Sequence, residues 1–134
     1  MNAKNNTNRM TRPGAEPYLV SIVDDDQVVR AALGNLLESV GLAVESFASA
    51  EEFMNSRRVK QRSCLILDVQ LPRASGLELQ HHLSSESDTI PIIFITAHSD
   101  DEVRSRALQE GAIGFFNKPF DAAALLTAVQ STLK

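Results

Sequence analysis

The sequence predicts an α/β fold, a doubly wound five-stranded parallel sheet of order 2-1-3-4-5 with helices on both faces. Three observations predict it. Short apolar runs alternate with helical patterns from Tyr18 to the end of the chain, and parallel neighbours need such crossovers. Two of the runs are apolar throughout, as strands covered on both faces are. One run alternates, which places it at an edge, and right-handed crossovers then favour the stated order.

Leu19-Val20-Ser21-Ile22-Val23 is a β-rich run that stops at three aspartates. Val29, Leu33, Leu36, Leu37 and Val40 follow on one face of a helix that Gly41 closes. Ala43-Val44-Glu45-Ser46-Phe47 is the alternating run, and Ser49 with Glu52 makes a capping box ahead of Phe53 and Met54. Cys64-Leu65-Ile66-Leu67 ends at Asp68, and Leu77, Leu79 and Leu83 mark the next, short helix. Ile92-Ile93-Phe94-Ile95 ends at Thr96, after which Ser99 and Glu102 form a second capping box for a helix that Gly111 ends. The last strand is expected over Ile113 to Phe116, before Asn117-Lys118-Pro119. Asp121 then caps a helix carrying Leu125, Leu126, Val129 and Leu133.

Composition narrows the class. With 134 residues the chain suits one domain, and its single cysteine, Cys64, excludes an intramolecular disulfide or a cysteine-based zinc cluster and fits a reducing, cytoplasmic setting. The net charge is −4, with +2 carried through Pro17 and −6 on the remainder, a poor charge balance for a domain that grips nucleic acid. No apolar run reaches the ~18 residues of a membrane span. Residues 1–17, Asn-rich at the start and carrying Pro13-Gly14, are expected to be a flexible leader, and residues 18–134 a single domain.

The chemistry gathers where the strands end. In such a sheet, ligands bind outside the carboxyl ends of the strands, near the point where strand order reverses. Strand one ends in Asp24-Asp25-Asp26, strand three in Asp68, strand four in Thr96, and strand five just before Lys118. Three crowded carboxylates (Asp24, Asp25 and Asp68) resist joint ionisation. A hard divalent cation such as Mg²⁺ removes the conflict, and with Lys118 it brings the local charge to zero. A carboxylate beside a metal and an ammonium can attack phosphorus and form an aspartyl phosphate. Catalysis of that step is mainly positioning and charge stabilisation, to which a Thr96 hydroxyl bond to a phosphoryl oxygen would add.

Each residue also has an ordinary reading. The aspartates of strand one could simply cap a helix, Asp68 could serve a turn, Thr96 could end a strand, and Lys118-Pro119 could be a surface turn. Their joint placement on one rim at consecutive strand ends argues for the site. The adjacent His81 and His82 diverge on a helix, so with His98 they form no ligand cluster. Alternation puts Phe115 and Phe116 on opposite faces of the last strand.

This constellation resembles the receiver domain of bacterial two-component response regulators. The resemblance covers nearly all of Tyr18 to Lys134 and rests on Ile22-Val23-Asp24-Asp25-Asp26, on Leu67-Asp68-Val69-Gln70-Leu71-Pro72 with Gly76, on Ile95-Thr96-Ala97, and on Lys118-Pro119-Phe120. The spacings agree: 43 residues from Asp25 to Asp68, 28 on to Thr96 and 22 on to Lys118. The resemblance implies a flavodoxin-like (βα)5 fold with Asp68 as phosphoacceptor. It implies Mg²⁺ held by Asp25 and Asp68 side chains and the Gln70 backbone carbonyl, with Asp24 acting through a water. It makes Thr96 and Lys118 the phosphate-sensing pair, with a cis Lys118–Pro119 peptide, and Phe115 the aromatic switch, a phenylalanine where the family often has tyrosine. Gln70 and His98 match variable positions that tune phosphoryl lifetime.

The implied partner is a sensor histidine kinase, with a phosphorylation-dependent homodimer as a further expectation. Phe47-Ala48-Ser49-Ala50-Glu51-Glu52-Phe53 resembles receivers whose parent proteins carry a helix-turn-helix output domain. The implied role is therefore control of an output, transcription first, with the chain either an excised receiver or a stand-alone regulator. A phosphorelay shuttle is an alternative. An aspartyl-phosphate phosphohydrolase is another, but it commonly carries a second carboxylate where this chain has Gln70. A dinucleotide-binding module lacks its glycine-rich loop after the first strand.

Overall fold

A computed structural model describes residues 18–56, 62–86, 89–98 and 100–133. The expected leader, residues 1–17, and Ser99 lie outside the described residues. Five strands and five helices alternate: β1 Leu19–Val23, α1 Gln27–Glu38, β2 Ala43–Phe47, α2 Ala50–Asn55, β3 Arg62–Asp68, α3 Gly76–Ser85, β4 Ile92–Thr96, α4 Asp101–Gln109, β5 Gly114–Asn117 and α5 Ala122–Gln130. All strand pairs are parallel and the order is β2-β1-β3-β4-β5, as expected. Among the described residues, no helix is long and apolar enough to cross a membrane.

Period-2 alternation sorts the strand side chains into two cores. Val23, Leu65, Leu67, Phe94 and Phe115 face α2, α3 and α4, where Phe53, Leu79, Leu83 and Ala107 meet them. Val20, Ile22, Cys64, Ile66, Ile93 and Ile95 face α1 and α5, where Leu33, Leu37, Leu125 and Val129 meet them. Phe115 and Phe116 do divide between the two faces. Burial pushes the Cys64 thiol up to about 12, against the lowering effect of bonds to Thr132 and Leu65, so it is a core residue and no nucleophile at neutral pH.

Helix starts follow the side-chain oxygens. Asp26 caps α1 by accepting from Val28 N–H, and Asp121 caps α5 by accepting from Ala124 N–H. Ser49 caps α2, but Glu52 reaches back to the Ala48 N–H rather than to that of Ser49, so the expected box closes one residue early. The reciprocal box is at α3, between Ser75 and Glu78. For α4 the cap is Asp100, which accepts from Glu102 and Val103 N–H, one residue later than the Ser99 the sequence suggested. Two terminal positions also differ. Val40 lies past the end of α1 and is exposed, since Gly41 (φ 88°) follows a turn and not another helical residue. β5 is shifted one residue later than expected, leaving Ile113 exposed.

Candidate functional site

Strand register assembles the rim. Val23 pairs with Leu67, Asp68 with Ile95, and Thr96 with Asn117. One residue further along each strand come Asp24, Thr96 and Lys118, so neighbours in space are residues of distant sequence. Within the strands, alternation puts Asp68 with Cys64 and Ile66 on the α1/α5 side and Thr96 with Phe94 on the side of Phe115. Backbone bonds strap the loops in place, from Asp24 N–H to Phe47 O, Val69 N–H to Ile95 O and Lys118 N–H to Thr96 O.

The Lys118 ammonium joins the two buried acids, 2.9 Å from Asp24 Oδ2 and 3.0 Å from Asp68 Oδ2. Asp24 is fully buried and Asp68 is 4% exposed. Asp24 Oδ1 accepts from Asp26 N–H at 2.8 Å, while its Oδ2 accepts no hydrogen bond and meets the ammonium only as an ion pair. Asp68 Oδ1 accepts from Gln70 N–H at 3.0 Å. Asp25 is exposed at the mouth. Asp24, Asp25 and Asp68 each offer an oxygen, all within 4.8 Å of one another. An all-oxygen donor set of this charge, with one buried oxygen short of a hydrogen bond, fits a hard divalent cation.

Burial is the main force raising the Asp68 pKa; the Asp24 charge adds to it, and the Gln70 N–H and Lys118 bonds oppose it without cancelling it. For Lys118, burial works downward, but its close contacts with Asp24 and Asp68 and their negative charge outweigh it and hold the ammonium charged.

The remaining predicted residues surround this cluster. The Thr96 hydroxyl is buried and engaged with the backbone two residues on, donating to His98 O and accepting from His98 N–H, both at 3.1 Å. The His98 and Gln70 side chains are on the exposed rim. Phe115 is turned inward, 9% exposed, against Phe94 at a centroid distance of 6.1 Å. The Lys118–Pro119 peptide is cis. Gly76 has a steric role: a Cβ there would stand 2.3 Å from the Asp68 carbonyl oxygen.

One contributor carried no signal in the sequence. Arg30 Nη1 donates to the Asp24 carbonyl at 2.6 Å, yet an arginine one turn into a helix looks like any solvated side chain. The Ser75–Glu78 capping box that starts α3 went unread, although its Ser-x-x-Glu pattern is present in the sequence.

Fold and rim together define a small phosphate-handling α/β module with an acidic pocket rather than a glycine-rich one. The family model for the response regulator receiver domain matches residues 20–130, and the chain belongs to that family. It is 44% identical over 116 residues to the response regulator protein TodT of Pseudomonas putida, covering 87% of this chain and 51% of TodT. It is 40% identical over 118 residues to the transcriptional regulatory protein FixJ of Azorhizobium caulinodans, covering 88% of this chain and 56% of FixJ. The solved structure of response regulator StyR superposes with a TM-score of 0.82 at 49% identity, over 87% of this chain and 59% of that one. The chain thus spans about half the length of the curated relatives it matches.

Proposed function

We propose that this receiver domain takes a phosphoryl group from a sensor histidine kinase onto Asp68 and relays its presence to an output. The single observation that carries this is the pairing of Asp24 and Asp68 through Lys118, with Asp25 completing an oxygen cluster at the mouth. In the transfer, a carboxylate oxygen of Asp68 bonds to phosphorus as the phosphorus–nitrogen bond of phosphohistidine breaks. The departing nitrogen keeps the electron pair. Asp25 and Asp68 through their side chains and Gln70 through its carbonyl would hold Mg²⁺, with Asp24 as a further acid behind them, and the ion would supply positive charge to the transferring group.

Lys118, held charged by its two acids, pairs with a phosphoryl oxygen. Thr96 exchanges its His98 backbone bonds for one to the phosphoryl group, and Phe115 occupies its inward position when that happens. Gln70 and His98, exposed at the rim, set how readily water reaches the acyl phosphate. The chemistry is self-phosphorylation and autodephosphorylation by water, not turnover of a free substrate. A cytoplasmic setting follows from the kinase partner. Control of transcription is supported by the likeness to the transcriptional regulatory protein FixJ, and phosphorylation-dependent pairing of two copies through the α4-β5-α5 face is the proposed link to it.

The test is intact-mass measurement after treatment with a small phosphodonor and Mg²⁺. The parent chain gains one phosphoryl mass and Asp68→Asn gains none. Acid-stable labelling of that variant would sink the assignment.

A further inference from the structure

Arg104 sits one turn into α4 and places its guanidinium carbon 5.8 Å from the centroid of the Phe115 ring. Three acidic residues, Asp100, Asp101 and Glu102, precede it at the start of the same helix. Among the described residues, the guanidinium nonetheless makes no ion pair with any of them. It lies over the ring instead, where the electron-rich face attracts a planar, weakly hydrated cation.

Two further observations give this contact a consequence. Phe115 has no hydroxyl, so no hydrogen bond of its own can fix the ring at either end of its swing. The ring is also already inward while the Thr96 hydroxyl is still committed to the His98 backbone. Its placement therefore has a cause other than a phosphoryl-bound Thr96. Besides the apolar cluster it shares with residues such as Leu67 and Ala107, the ring meets Phe94 on the sheet and Arg104 on the helix.

We infer that Arg104 is a positioning residue that holds Phe115 inward from outside the sheet, biasing the switch before any phosphoryl group arrives. The inference rests on the proposed reading of Phe115 as the switch. An exposed cation–π contact is expected to favour the inward over the outward ring about two- to five-fold. Affinity for a phosphoryl mimic that selects the inward ring should fall by the factor by which the inward fraction falls.

The experiment incorporates 4-fluorophenylalanine, assigns the Phe115 resonance from Phe115→Leu, and compares the parent with Arg104→Gln and Arg104→Lys. Each is measured free, and then titrated with beryllium fluoride and Mg²⁺. Arg104→Gln should lower the inward-to-outward ratio about two- to five-fold and weaken mimic binding by the factor by which the inward fraction falls; Arg104→Lys, which keeps the cation, should recover part of both. A Phe115 resonance unmoved by Arg104→Gln overturns the inference, whatever the mimic affinity does. Failure of the parent chain itself to bind the mimic overturns the phosphoacceptor reading instead, and the fluorine spectra of the free proteins still decide the role of Arg104.

Discussion

Magnesium should raise the melting temperature of this chain in proportion to the logarithm of its concentration. Asp24 and Asp68 are buried with oxygens within 4.8 Å, a repulsion of about 3 kcal/mol at an effective dielectric near 20. Lys118 offsets one of the two charges, and Asp25 adds a third at the mouth. A divalent cation neutralises the remainder only in the folded arrangement, since the unfolded chain separates residues 25 and 68. Binding to the folded state alone adds about 1.4 kcal/mol of stability for each tenfold rise in free ion above its Kd. For a domain of this length, 1 kcal/mol moves the midpoint by about 4 °C, so the expected slope is about 5–6 °C per decade. Thermal melts followed by circular dichroism, across three decades of Mg²⁺ at fixed ionic strength, measure it. Asp25→Asn and Asp68→Asn should flatten the slope. A parent midpoint that does not move, or one that moves equally in both variants, would refute the charge-balance argument.

Lys118→Ala should cost about 3 kcal/mol without metal, because it leaves two buried carboxylates facing each other, and Mg²⁺ should recover a larger part of stability than in the parent. In the same variant, Asp68 should still be phosphorylated, while ultracentrifugation with a phosphoryl mimic should show self-association no longer tied to it. Gly76→Ala drives a Cβ to 2.3 Å from a backbone oxygen and should cost about 3 kcal/mol in urea melts, whereas Gly34→Ala, whose nearest neighbour is 4.0 Å away within a helix, should gain about 0.5–1 kcal/mol. The raised Asp68 pKa means the folded chain holds that proton to higher pH than the unfolded chain does. The stability it contributes is therefore complete below 3.8 and is lost as pH rises through the folded value. The stability advantage of metal-free Asp68→Asn over the parent should accordingly grow with pH across that window; parallel pH profiles would contradict the burial argument.

The fold was legible because its signals are repeated. Cys64-Leu65-Ile66-Leu67 and Ile92-Ile93-Phe94-Ile95 lack any polar position, and only burial on both faces of a sheet explains that. The rim was legible for a related reason: each strand ends within one residue of the end of its apolar run, so Asp24, Asp68 and Thr96 announce themselves as the first polar residues after a core. The helix ends were less so. The cap of α4 is Asp100, whose carboxylate accepts from two N–H groups, and adjacent capping residues look alike in sequence. Arg30 and Arg104 were not legible as contributors. Their contacts, to the Asp24 carbonyl and the Phe115 ring, depend on which way a long side chain turns toward a neighbouring element, which no periodicity encodes.

The two faces of the sheet divide the labour. Alternation places Asp68 on the side of α1 and α5, while Thr96 and Phe115 belong to the side of α3 and α4. A charge arriving at Asp68 therefore need not push on the core beneath it. Its neighbour in register is Ile95, so the next residue on that strand, Thr96, stands beside the new charge with its side chain emerging toward the other layer. The hydroxyl there has only backbone bonds to His98 to give up, which are of ordinary strength, whereas a bond to a charged phosphoryl oxygen is roughly twice as strong. In the proposed reading, that difference would carry the covalent event on one face to α4 and β5 on the other. Two packed side-chain layers separated by a rigid parallel sheet keep the step discrete rather than graded.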